Sequence, residues 1–134
     1  MTCERIVTAA IIQKEECILL ARRSSGEKLA GFWEFPGGKV ENGETPEACL
    51  ARELHEELRI RVRIGAKSVE SLHQYDHGSF RIIAYFVEWL AGDLRPSVHD
   101  RLEWVRLDDI EGYQLLPADI PIAASLKKLK ELPQ

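Results

Sequence analysis

Gly38-Lys39-Val40-Glu41-Asn42-Gly43-Glu44-Thr45-Pro46-Glu47-Ala48-Cys49-Leu50-Ala51-Arg52-Glu53-Leu54-His55-Glu56-Glu57-Leu58-Arg59-Ile60 is the most informative stretch of this 134-residue chain. Thr45 suits an N-cap, Pro46 the first helical position and Glu47 the first turn, which predicts a helix running to about residue 58. At about 100° per residue, Glu57 lies near +40° and Glu56 near −60° from Glu53. Three carboxylates therefore share one arc. Leu50, Leu54, Leu58 and Ala51 occupy the neighbouring arc, which must face a core. The acidic stripe borders the buried side.

A run of charge most often marks a solvated helix face. Here that reading meets a difficulty. Like charges three and four residues apart destabilise a helix by a few tenths of a kcal/mol per pair. Arg52 alone stands ready to offset them, and no lysine lies between Glu44 and Leu58. A hard divalent cation such as Mg²⁺ prefers a cluster of carboxylate oxygens, completed by water and phosphate. On pattern alone, metal binding stands only slightly ahead of the solvated face. The loop upstream adds weight. Gly37 and Gly38 follow Pro36, so the backbone can turn sharply and approach a ligand closely. Gly43 adds a second flexible point, and Lys39 puts a cation beside the acids. GxxxxGK[ST] is absent, so this is not a phosphate-cradling P-loop.

Outward from this segment, strands and helices mix. Residues 7–12 and 18–21 are aliphatic runs across a polar break, and read as a hairpin. Residues 22–31 read as a loop. Residues 32–35 read as an extended segment stopped by Pro36-Gly37-Gly38. β-Branched residues return over 60–72. Residues 80–90 form a nearly continuous apolar run suited to a strand buried on both faces. Residues 102–107 suit a short strand. Residues 121–129 have helical spacing at Ile122, Leu126 and Leu129, with Lys127, Lys128 and Lys130 near the end, where cations suit the helix dipole. His73 and His77 flank Tyr75-Asp76 and read as loop residues. An α/β domain with helices packed on one central sheet accounts for the pattern.

The composition fits one globular domain over residues 1–134: 45% hydrophobic, 30% charged, net charge −4. That balance excludes intrinsic disorder. It also excludes a protein that binds polymeric nucleic acid through a basic face. Residues 39–57 hold six acids and two bases, while the rest of the chain carries 16 of each. The whole net charge thus resides in the acidic helix and its loop. Cys3, Cys17 and Cys49 are odd in number and widely spaced, which suits a reducing compartment. No signal peptide or membrane span is visible, and a cytoplasmic location is expected.

Residues 38–60 resemble the box of the Nudix hydrolases: Gly, five residues, Glu, seven residues, then Arg-Glu-U-x-Glu-Glu-x-Gly-U, with U aliphatic. Gly38, Glu44, Arg52, Glu53, Leu54, Glu56, Glu57 and Ile60 match eight of its nine defined positions. The family's glycine near the helix end is Arg59 here. At a left-handed C-cap it would cost roughly 1 kcal/mol. Glu34-Phe35-Pro36-Gly37-Gly38-Lys39, Asn42 to Glu47, Arg22-Arg23 and Glu103-Trp104 are similar to the MutT branch. Leu115 to Pro121, with Ala118-Asp119-Ile120-Pro121, resembles the CTP pyrophosphohydrolase branch.

The resemblance implies an αβα sandwich around a mixed sheet. It implies Mg²⁺-dependent (alternatively Mn²⁺-dependent) hydrolysis of a nucleoside triphosphate to monophosphate and pyrophosphate, in nucleotide-pool sanitation. By the same resemblance, Gly37, Gly38, Glu53, Glu56 and Glu57 are metal ligands. Glu53 or Glu56 orients or deprotonates water, while Arg52 holds the carboxylates and Glu44 supports the loop. Arg23, Glu34, Phe35, Lys39 and Asp119 fall to the substrate. Relatives often add a carboxylate where Val98 stands; His99 and Asp100 beside it could substitute as base or ligand. Asp119 reads equally as a base-recognising acceptor or as an N-cap. Phe35 and Phe80 read as core more than as stacking platforms, and Trp33, Trp89 and Trp104 as core or interface. The expected substrates are (d)CTP, modified pyrimidine nucleotides or 8-oxo-dGTP. A diphosphatase for ADP-ribose or dinucleoside polyphosphates and a catalytically impaired nucleotide-binding domain are the rivals. A small-molecule partner, no membrane, and a monomer or homodimer are expected.

Overall fold

The computed structural model describes residues 4–75 and 78–131. Cys3, Asp76 and His77 lie outside the described residues. Among these residues, seven strands form one mixed sheet: β1 Glu4–Lys14, β2 Cys17–Arg23, β3 Trp33–Glu34, β4 Gly37–Lys39, β5 Arg61–Tyr75, β6 Gly78–Ala91 and β7 His99–Arg106. Helix α1 spans Pro46–Leu58 and α2 spans Ile120–Glu131. Two 3₁₀ segments, Leu107–Gly112 and Pro117–Asp119, lead into α2. The main strand order is β3-β2-β1-β6-β5, with β4 beside β1 and β7 beside β2. β1 and β6 are parallel, and every other pair is antiparallel.

Side-chain alternation explains the layers. Ala9 and Ile11 of β1, Ile82 and Ala84 of β6, and Ile18 and Leu20 of β2 pack toward Ile122, Ala123 and Leu126 of α2. Their neighbours Ala10, Ile12, Ile83, Tyr85, Val87 and Leu19 pack toward Leu50, Leu54 and Leu58 of α1. Period-two strands buried on both faces must be apolar at successive positions, which is why residues 82–87 read as a continuous run. The result is a sandwich of α1, sheet and α2.

The expected hairpin is present, pairing Gln13 with Ile18 and Lys14 with Cys17. Three details depart from the sequence reading. Pro36-Gly37-Gly38 is no simple stop, because Gly37–Lys39 continues as β4 against β1. Arg22 and Arg23 end β2 instead of opening a loop. His73 lies in β5, stacked on Phe80 at 5.2 Å between ring centroids. Periodicity is weak at each of these sites, and pairing with a distant strand supplies the structure that local sequence does not.

Candidate active site

Helix α1 carries the acids, and its two ends are secured differently. At the start, Thr45 Oγ1 accepts the Ala48 N–H at 3.1 Å. At the end, Arg59 adopts the left-handed conformation, φ 62° and ψ 32°, and its N–H reaches His55 O at 3.0 Å. The turn that glycine serves in the family is therefore kept here by a residue with a Cβ. The loop before β7 satisfies the remaining carbonyls. Arg95 N and Ser97 N donate to Leu58 O and Glu57 O at 2.9 Å each, and Ser97 Oγ donates to Glu56 O at 2.9 Å. Nothing in the local sequence marks Ser97 for this task.

Strand β4 threads between β1 and α1. A Cβ on Gly37 would lie 1.9 Å from Thr8 O, and one on Gly38 would lie 2.2 Å from Glu53 Cδ. Backbone blocks any Cβ at Gly37, while one at Gly38 would displace the Glu53 carboxylate, against which the Gly38 backbone presses. Thr8 Oγ1 donates to Gly38 O at 3.1 Å, and the buried Cys49 thiol donates to Lys39 O at 3.3 Å.

Arg52 orders the acids. Its Nε and Nη2 donate to the two oxygens of Glu44 at 2.7 and 3.0 Å, a bidentate pair. Its Nη1 donates to Glu53 Oε1 at 3.1 Å and to Glu56 Oε2 at 3.2 Å. The hydrogen bond from Arg52 holds the Glu44 carboxyl down at a pKa of about 2. Glu44 Oε1 in turn accepts the Glu41 N–H at 3.1 Å, which closes the loop onto the helix.

Glu53 and Glu57 turn toward the cavities, whereas Glu56 is on the Arg52 side and lines neither. Burial raises the pKa of Glu53. Burial, then the charges of Glu53 and Glu34, push Glu57 up to about 9. Glu57 Oε2 is buried with no hydrogen-bond partner. Among the described residues no three acidic, histidine or cysteine side chains converge on one point. The groups that do adjoin are Glu53, Glu57 and the Gly37–Gly38 backbone. An orphaned buried carboxylate oxygen beside a second carboxylate suits a hard divalent cation, which would offset the cost of holding these partly desolvated carboxylates ionised.

Two cavities meet at these residues. The first, about 420 Å³, has apolar walls that include Val7, Phe80 and Ile82, with Arg23, Glu27, Glu34, His99 and Asp119 among its polar groups. The second, about 850 Å³, adjoins Glu53 and the loop at Asn42 and Gly43. Gly37, Gly38, Lys39 and Glu57 line both.

In the first cavity, Asp119 is 4% exposed, and its Oδ2 accepts the Phe35 N–H at 3.0 Å. It bonds across the fold and does not cap its own helix. Burial pushes its pKa up to about 7. Phe35, 3% exposed, belongs to the α2-side core and also lines the cavity. Glu34 is bracketed by Arg23 Nη1 at 3.3 Å and His99 Nε2 at 2.8 Å. Arg23 Nε also donates to Lys28 O at 2.6 Å, tying the following loop to the cavity rim. His99 thus reaches the site through Glu34, and its Nδ1 is buried without a partner. Asp100 pairs with Arg22 at 2.7 Å and is not a cavity residue. Val98 lines the first cavity and is exposed. Trp33 is in the core, and Trp89 stacks on Trp104 at 6.3 Å.

Residues 4–129 match the model of the NUDIX domain. The chain belongs to the Nudix family. It shares 36% identity over 124 residues with the CTP pyrophosphohydrolase of Escherichia coli K12, covering 92% of each protein. It shares 31% over 124 residues with the 8-oxo-dGTP diphosphatase of the same organism, covering 92% of this chain and 96% of that one. The solution structure of the E. coli ORF135 protein superposes with a TM-score of 0.89 at 34% identity, covering 97% of this chain and 93% of that one. The chain is thus a Nudix hydrolase with a MutT-like fold. No helix among the described residues is long and apolar enough to cross a membrane.

Proposed function

We propose that the chain acts as a single catalytic domain that hydrolyses a nucleoside triphosphate to the monophosphate and pyrophosphate. The observation that carries this reading is Glu57, a half-buried carboxylate with one buried, orphaned oxygen where the two cavities meet. Glu53, Glu57 and the Gly37 and Gly38 carbonyls would hold Mg²⁺ or Mn²⁺, with Glu56 available if Arg52 releases it. A bound cation supplies charge neutralisation of the phosphate chain and lowers the pKa of water. Arg52 keeps Glu53 oriented, and the Thr8 hydroxyl fixes the Gly38 carbonyl.

The base belongs in the first cavity. Its apolar walls accept a flat ring, and Asp119 offers one oxygen beyond the Phe35 N–H. An ionised Asp accepts from the exocyclic amine of cytosine or the N–H edge of guanine. This supports (d)CTP, modified pyrimidine nucleotides or 8-oxo-dGTP as substrates, as do the named activities of the relatives.

Formation of nucleoside monophosphate and pyrophosphate from a panel of nucleotides, with Mg²⁺ and with EDTA, tests the reading. Metal-dependent turnover of a nucleoside triphosphate is expected. Cleavage of ADP-ribose with inert triphosphates would overturn it.

A further inference from the structure

We infer that the second cavity receives the distal phosphates of the triphosphate, and that Arg5 binds the terminal one. This rests on the triphosphate reading above and gives the substrate a direction across the site.

The two cavities differ in chemistry. The first is walled by apolar side chains and ends at buried Asp119. The second is bordered by Gly37, Gly38 and Gly43, with only Ile6 and Val40 as apolar residues, and it carries two cations, Arg5 and Lys39, beside three carboxylates, Glu41, Glu53 and Glu57. A ring suits the first, and a polyanion suits the second once a divalent cation on Glu53 and Glu57 offsets the acids and leaves Arg5 and Lys39 to the phosphates. Because Gly37, Gly38, Lys39 and Glu57 line both, a nucleotide with its base at Asp119 must pass its phosphates over these residues.

Strand register places Arg5 on that path. β1 and β4 are antiparallel, with Val7 opposite Lys39. Side chains alternate along a strand, so Arg5, two residues before Val7, shares the face of Val7 and Lys39. Val7 and Lys39 reach the first cavity, while Arg5 reaches only the second. The three residues therefore run from the base end outward, with Arg5 last. Arg5 is exposed, and no ion pair occupies its guanidinium or the Lys39 ammonium among the described residues. Arg22, Arg23, Arg52, Arg63, Arg81, Arg101 and Arg106 each pair with a carboxylate. An unpaired guanidinium at the rim of a cavity that also holds Glu53 and Glu57 is free to take a phosphate in its planar fork.

The test compares the wild-type chain with Arg5→Ala and Arg5→Lys, using the triphosphate and the diphosphate of one nucleoside. The ratio of kcat/KM for triphosphate over diphosphate is expected to fall about tenfold in Arg5→Ala and to recover largely in Arg5→Lys. Product inhibition by pyrophosphate should weaken by a similar factor, while inhibition by the monophosphate stays within about twofold. An unchanged ratio, or equal weakening of both product inhibitions, overturns the assignment of Arg5. A wild-type chain inert toward every triphosphate sinks the parent reading before any variant is compared, so the two failures are distinct.

Discussion

The carboxyl of Asp119 accepts the backbone N–H of Phe35 at 3.0 Å, joining residues 84 positions apart. This bond ties the 3₁₀ segment before α2 to the strand that leads into the glycines. It positions a titratable group at the base end of the first cavity. It also places that group where ionisation is unfavourable: burial, and then the charge of Glu34, oppose it, while the Phe35 N–H and Arg23 favour it.

The pH dependence of stability should report this directly. The folded-state pKa of about 7 lies above the ordinary aspartate value of 3.8. Relative stabilisation from the protonated form is therefore full below the unfolded pKa and is lost as pH rises through about 7. Asp119→Asn cannot ionise and keeps an oxygen for the Phe35 N–H. Its stability relative to wild type should increase by about 1–3 kcal/mol between pH 5 and pH 8. Thermal or urea denaturation at both values checks this, and a pH-independent difference would remove Asp119 as the titrating group.

Glu57→Gln keeps the shape of the side chain and removes its charge. With a divalent cation held at this position, turnover should fall by roughly 10²–10³. The rise in Tm that wild type shows on addition of Mn²⁺ should shrink with it. A variant with near-wild-type turnover and an intact Mn²⁺ shift would take Glu57 out of the metal site.

Arg59 holds a left-handed turn at φ 62° in place of the family's glycine. A Cβ in that region costs about 1–2 kcal/mol, partly offset by the greater unfolded-state entropy of glycine. Arg59→Gly should raise stability by about 0.5–1 kcal/mol in urea denaturation. The side chain lines neither cavity, so kcat should stay within about twofold. Lower stability in the variant would show that Arg59 makes a contact outweighing the strain.

Much of this protein is legible along the chain. Thr45-Pro46-Glu47 marks where α1 begins. The spacing of Leu50, Leu54 and Leu58 against Glu53, Glu56 and Glu57 sets its buried and acidic faces. The nearly continuous apolar run of β6 announces a strand covered on both sides. Each of these is local, because helix caps and side-chain periods depend on residues a few positions apart.

The working site draws on relationships that no local period encodes. Gly37 and Gly38 read as a stop, and only the pairing with Thr8 and Ala9 makes them a strand that presses the backbone onto Glu53. Asp119 fits an N-cap by its neighbours, and the bond to Phe35 overrides that pattern. Ser97 caps the far end of α1 from a separate loop. His99 joins the site through Glu34, while Asp100 beside it turns to Arg22, since adjacent strand residues face opposite sides. Arg5 carries no motif at all, and strand register alone brings it to the rim of the second cavity. Burial and partner choice between distant segments decide these roles, and both come into being only when the sheet closes.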